Sequence, residues 1–178
     1  MTFRQRAIGA AKLDPAVFEE IEADRHATRQ ALAVVVLSSA AAGIGLSSSV
    51  YDAPVLTRVV LALLLWVFWA ALTYAIGVYL TPEPQTEADI GELLRTIGFA
   101  AAPGALRVFG FVPIVGPTVY AIATVWMLVA MVIAIRQALD YKSTARAVVV
   151  CLIAWVIAVA MSALIGGLLF VLVEELSP

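Results

Sequence analysis

Apolar residues in this chain fall in long blocks rather than alternating with polar ones, and short charged clusters separate the blocks. A helix needs about 20 mainly apolar residues to cross the roughly 30 Å hydrocarbon core of a bilayer. Gln30 to Val50, Val55 to Leu80 and Ile114 to Ile135 meet that length. Ala147 to Val173 exceeds it and is expected to tilt or to extend past the headgroups. A further block, Leu94 to Val112, is long enough but holds Arg107 and the helix breakers Gly98, Pro103, Gly104 and Gly110. That block is compatible with crossing, re-entering or lying on the surface.

Composition agrees with the pattern. Of 178 residues, 63% are apolar and 13% charged, with a mean hydropathy of +1.00, whereas soluble domains carry about 45–50% apolar and about 25% charged residues. The chain is therefore expected to be an all-α polytopic transmembrane helix bundle in contact with the lipid bilayer, and its length fits one domain. A net charge of −2 gives no basic footprint for nucleic acid. The single cysteine, Cys151, excludes an intrachain disulfide and a thiolate metal cluster.

The position of the basic residues orients the spans, because cytoplasmic loops carry the excess of Lys and Arg. Ten of the 24 charged residues lie in Met1 to Arg29, which is taken as cytoplasmic. If Leu94 to Val112 crosses, the later inside segments hold Arg95, Arg136, Lys142 and Arg146, against Arg58 and Arg107 outside. If it does not, the ratio inverts. Five spans are thus expected, at about 30–50, 55–80, 94–112, 114–135 and 147–173, with the N-terminus cytoplasmic and the C-terminus extracytoplasmic. Residues 1–29 form a cytoplasmic amphipathic segment ahead of a transmembrane domain over 30–178. No cleavable signal peptide is visible, since the first apolar run follows about 29 largely polar residues.

Within the N-terminal segment, Leu13-Asp14-Pro15 predicts a helix with Asp14 as N-cap and Pro15 at the first helical position. Val17, Phe18 and Ile21 then make one apolar face, joined upstream by Phe3 and Ile8, and suit docking on the membrane surface or against the bundle. His26 follows Glu22 by four residues, which puts an imidazole and a carboxylate on one helix face. Two ligands do not make a metal site, and neither a metal nor a cofactor is expected.

Two stripes of small residues recur at four-residue spacing: Ser39, Gly43 and Ser47 in the first span, and Ala154, Ala158, Ser162 and Gly166 in the last. In lipid such stripes let helix backbones approach closely, so both are expected to be helix contacts, within the chain or against another subunit. Arg107 is the costly charge. A central Arg costs about 2.5–3.5 kcal/mol on insertion scales, and Asp52, Glu174 or Glu175 on the outer side is the expected partner. Pro103 and Gly104 would break the span beside it and free carbonyls. No nucleophile–base pairing, phosphate-binding loop or HExxH motif occurs, so an enzyme is not expected.

Several stretches carry a family resemblance. Arg95-Thr96-Ile97-Gly98-Phe99-Ala100-Ala101-Ala102-Pro103-Gly104, then Val112-Pro113-Ile114-Val115-Gly116, Val125-Trp126 and Ala134-Ile135-Arg136-Gln137-Ala138-Leu139-Asp140 resemble the Yip1 family of multi-pass membrane proteins. Leu13-Asp14-Pro15 to Asp24, running into Gln30-Ala31, resembles bacterial members with a Yip1 domain. The resemblance implies a five-span fold, in agreement with the charge count. Eukaryotic relatives bind Rab-type GTPases and shape or sort secretory membranes; this chain's short N-terminal segment gives no ground for carrying Rab binding over, and the family brings no catalytic residues.

The function expected from these features is non-enzymatic. It is that of a bacterial inner-membrane protein acting through protein contacts, as a membrane organiser or an accessory subunit of a larger complex, with other membrane subunits or itself as partner. The alternative is a small transporter or channel that uses the broken third span, with Arg107 attracting an anion.

Overall fold

A computed structural model describes residues 1–45 and 55–176; within the helices, side chains are described except at 55–59, 61, 62, 162, 165, 166 and 168–176. Among the described residues every regular element is helical. The elements are α1 (Phe3–Ala11), α2 (Pro15–Ala23), α3 (Ala27–Gly45), α4 (Val55–Tyr74) continued by a π-helical turn (Ala75–Leu80), α5 (Ile90–Ala100) continued by a 3-10 segment (Ala102–Phe111), α6 (Gly116–Ala138) and α7 (Thr144–Leu176). Among the described residues, four helical stretches are long and apolar enough to cross a membrane: Ala27–Gly45, Leu63–Leu80, Gly116–Ala138 and Thr144–Met161. The fifth expected segment is the composite of α5 and the 3-10 segment, so the fold is the expected helical bundle of about five membrane segments.

Local chemistry explains the boundaries. Asp14 accepts a hydrogen bond from the Ala16 amide at 3.0 Å and Pro15 opens α2, as its missing N–H allows. Asp89 and Glu92 cap α5 reciprocally, each side chain accepting the other's amide, at 2.9 and 2.8 Å. The α-helix ends at Ala100 because Pro103 disfavours helical geometry at the residue before it and removes an amide from the ladder. The π turn widens the end of α4 enough to leave carbonyls for an outside donor. The Tyr141 hydroxyl sits there with its one proton, 3.1 Å from Gly77 O in the turn and 2.9 Å from Thr81 O just beyond it.

α5 lies between two apolar clusters. On one side, Val17, Phe18 and Ile21 of α2 pack with Ala27 and Ala31 of α3, Phe99 and Ala100 of α5, and Ala130 and Ala134 of α6. On the other, Leu93 and Ile97 of α5 meet Ala70 of α4, Ile135 and Leu139, and Ala147, Val150 and Ala154 of α7. α1 and α2 thus form a hairpin docked into a groove lined by small residues. Ile8 stays at the surface and Phe3 is partly exposed with its ring 6.3 Å from that of Phe99, while Ala10 is buried, so α2 supplies most but not all of the hairpin's buried apolar face.

Backbones approach most closely between α3 and the 3-10 segment. A Cβ on Gly45 would lie 1.9 Å from the Arg107 carbonyl oxygen, and one on Gly116 would lie 2.1 Å from the Gly110 carbonyl oxygen. Both obstacles are backbone and cannot swing aside. Gly45→Ala is therefore expected to destabilise the bundle by about 1–3 kcal/mol, the usual cost of overpacking. Gly167, which has nothing within 4 Å of such a Cβ, should accept alanine with no loss. Thermal unfolding in detergent separates the two: a lowered midpoint for Gly45→Ala and an unchanged or raised one for Gly167→Ala.

Candidate functional site

Two polar constellations stand out in the apolar bundle. The first surrounds Arg107. Its guanidinium Nη2 donates to Ser38 Oγ at 2.9 Å and to Ser38 O at 3.3 Å, and its Nε donates to Gly104 O at 3.3 Å. Its Cζ also lies 5.7 Å from the centre of the Tyr120 ring, a cation–π contact. Gly104 makes this possible, since a Cβ there would fall 2.2 Å from Ser38 Oγ and 2.5 Å from Met127 Sδ. Pro103 and Gly104 are both buried in the break. The arrangement ties the 3-10 segment to α3 and α6 through neutral acceptors and a ring.

Of the acids expected to pair with Arg107, Asp52 lies outside the described residues, and the side chains of Glu174 and Glu175 are likewise not described. The partner that sequence reasoning missed is Ser38. It is buried and sits one residue before the Ser39 stripe, so the signal was a serine on the adjacent helical face. The protein-facing side of α3 runs through Ala31, Val34, Val35, Ser38, Ala41 and Gly45, with Ser39 and Gly43 half-buried on its flank. Ser47 is outside the described residues. In α7, Ala154 and Ala158 are buried against the bundle, whereas the side chain of Ser162 and the surroundings of Gly166 are not described.

The second constellation is a cleft of about 470 Å³ where the α1–α2 hairpin meets the bundle. Glu19 and Glu22 of α2, Glu92 of α5, Arg136 and Gln137 of α6, and Asp140 and Lys142 of the α6–α7 connection line it. Gln137 Nε2 donates to Glu19 Oε1 at 2.9 Å across the joint. Beneath the cleft, Arg95 is 4% exposed and donates its Nε to the terminal carbonyls of α2, at 3.3 Å to Ile21 and 3.1 Å to Glu22, while Nη2 also reaches Glu22 O. A cation at a helix C-terminus meets both the unpaired carbonyls and the dipole. On the hairpin's far side, buried Arg6 pairs with Glu20 at 2.7 Å and Asp24 at 2.5 Å and donates to Gln30 Oε1 at 3.0 Å, stitching α1 to α2 and α3.

Glu22 and His26 do not share a helix face. α2 ends at Ala23 with Asp24 extended, so the backbone turns between them, and His26 is exposed with its amide donating to Asp24 Oδ1. No group of three metal-ligating side chains occurs among the described residues.

The cleft charges set a pH dependence. Burial, then the nearby Asp140 and Glu92 carboxylates, push the Glu22 carboxyl up to about 7. The Arg6 guanidinium instead holds Glu20 down at about 2.

Apolar helices of membrane-spanning length around a Pro/Gly-broken segment, with polar groups gathered at one end and around one arginine, define a polytopic helical membrane protein. The Yip1 domain matches residues 13–166 as a family profile, and the chain belongs to the Yip1 family. No match was found among curated proteins or among solved structures.

A carboxyl whose folded pKa is raised destabilises the fold as pH rises from its unfolded value, about 4.5, to about 7, and fully above that. Glu22→Gln is therefore expected to protect the amides of residues 15–23 from hydrogen exchange at pH 8 and to have little effect near pH 4.5. Glu20 has the opposite sign: its contribution is present above about 4.5 and is lost as pH falls toward about 2. Loosening of the hairpin in that acid range, abolished by Glu20→Gln, checks it.

Proposed function

We propose that the chain is a non-enzymatic multi-pass protein of a bacterial inner membrane that works through protein contacts, as a membrane organiser or an accessory subunit of a larger complex. Residues 1–29, with the α1–α2 hairpin, lie on the cytoplasmic side, ahead of a transmembrane domain over 30–178 whose C-terminus is extracytoplasmic. The positive-inside balance of Arg95, Arg136, Lys142 and Arg146 supports that orientation. The observation that carries the contact role is the charged cleft. Glu22 and Asp140 accept no hydrogen bond through their carboxylates among the described residues, and four acids face two bases around an open space. Such a surface suits a basic segment of a partner, because complementary charge steers and selects.

Purification in mild detergent at low salt, followed by mass spectrometry, tests this. The wild-type chain should co-purify with a defined partner. Neutralising the rim with Glu19→Gln and Asp140→Asn together should weaken that recovery about tenfold, equivalent to about 1.4 kcal/mol. A chain that runs alone, or a partner recovered equally by the neutralised variant, overturns the proposal.

A transporter or channel function is the second proposal, favoured by the neutral surroundings of Arg107 among the described residues. An anion flux in proteoliposomes that falls with Arg107→Ala supports it, and absent or unchanged flux removes it.

A further inference from the structure

The acids of the charged cleft hold no cation of their own. The Glu22 carboxyl is faced by Glu19 from its own helix, by Glu92 and Arg95 of α5, by Arg136 of α6, and by Asp140, Tyr141 and Lys142 of the α6–α7 connection. The arginines there are engaged with backbone. Arg95 donates to the carbonyls that end α2, and Arg136 donates its Nε to Tyr141 O at 3.2 Å. Every salt bridge among the described residues uses Glu20, Asp24 or Glu83, so none reaches Glu19, Glu22, Glu92 or Asp140. Glu19 and Glu92 still accept hydrogen bonds, from Gln137 Nε2 and the Asp89 amide. Glu22 and Asp140 do not, and they repel each other across the opening.

An uncompensated carboxylate at a partly buried joint is met in one of two ways: it takes a proton, or it takes a cation from outside. Both act at the same oxygens, so they exclude one another. Burial, followed by Asp140 and Glu92, places the release of the Glu22 proton at about 7. The outside cation is organic in character. No three acidic, His or Cys side chains converge as metal ligands among the described residues, whereas a cleft of about 470 Å³ admits a long basic side chain.

Resting on the reading of the cleft as a partner site, we propose that a lysine or arginine side chain of the partner seats between Glu22 and Asp140 and displaces the Glu22 proton to solvent, so that partner binding tightens as pH rises through neutrality. A neutral carboxyl and a free cation become a carboxylate–cation pair, and one proton leaves. Because only the ionised carboxylate receives the cation, apparent affinity scales with the ionised fraction. That fraction rises about tenfold between pH 6 and pH 8 for a group that titrates at about 7. The ionisation that loosens the hairpin joint is thus the one that admits the partner.

A fluorescently labelled tetra-arginine peptide, whose charge is constant over this range, is the probe, with the full chain in a non-ionic detergent at low salt. Wild type should bind it about tenfold more tightly at pH 8 than at pH 6. Glu22→Gln should bind at both pH values as wild type does at pH 6, and because it firms the hairpin at pH 8, unfolding does not explain a lost slope. His26→Gln, which removes the single histidine of the chain, should leave the slope intact. Binding without a slope, or an equal slope in Glu22→Gln, overturns the proton linkage and leaves the basic-partner reading standing. Peptide binding that is absent at every pH, or unchanged by Glu19→Gln with Asp140→Asn, overturns both. A carbon-13 titration of the Glu22 carboxyl gives a second readout: added peptide should lower its midpoint, and an unmoved midpoint under saturating peptide overturns the proposal.

Discussion

The close approach of α3 to the 3-10 segment is the constraint on which the bundle rests. In lipid, apolar surface gains nothing by leaving one hydrocarbon for another, so helices associate through packing contacts and hydrogen bonds. Gly45 and Gly104 let two backbones meet where any side chain would push them apart. That contact brings Arg107 to Ser38 and lets Gly110 and Gly116 close the following turn. The break at Pro103 is thus useful rather than damaging, because a straight helix would carry Arg107 away from α3.

The α1–α2 hairpin follows different physics. It presents Phe18 and Ile21 to a groove of alanines and a phenylalanine, where burial from water is favourable, and it is pinned at both sides by arginines. Arg95 satisfies the carbonyls at the end of α2, and Arg6 neutralises Glu20 and Asp24. Glu22 opposes this: it is held among carboxylates and under partial burial, so the joint between hairpin and bundle carries electrostatic tension near neutral pH. The same joint forms the charged cleft, so a partner that brings positive charge there also relieves repulsion within the fold.

Much of this was legible from residue order. Asp14 and Pro15 announced the start of α2, and charge clusters announced where apolar helices begin and end, because both signals depend on neighbours within a few positions. Arg107 was recognisable as costly, but Ser38 as its acceptor was not. The two are separated by 69 positions and meet only through a helix rotation that a four-residue stripe does not resolve. Glu22 and His26 show the converse error, since a single turn at Asp24 undoes a pairing that spacing suggests.

By itself the sequence determined the class: a long-block apolar pattern, sparse charge and the positions of the basic residues admit little besides a helical membrane bundle, since backbone amides in hydrocarbon must bond within their own helix. Tertiary structure decided what the breakers and isolated charges do. That Gly104 leaves room for Arg107 to reach Ser38, and that Arg95 caps α2 rather than standing as a loop charge, depends on what lies across the gap, and packing between distant segments supplies that neighbour.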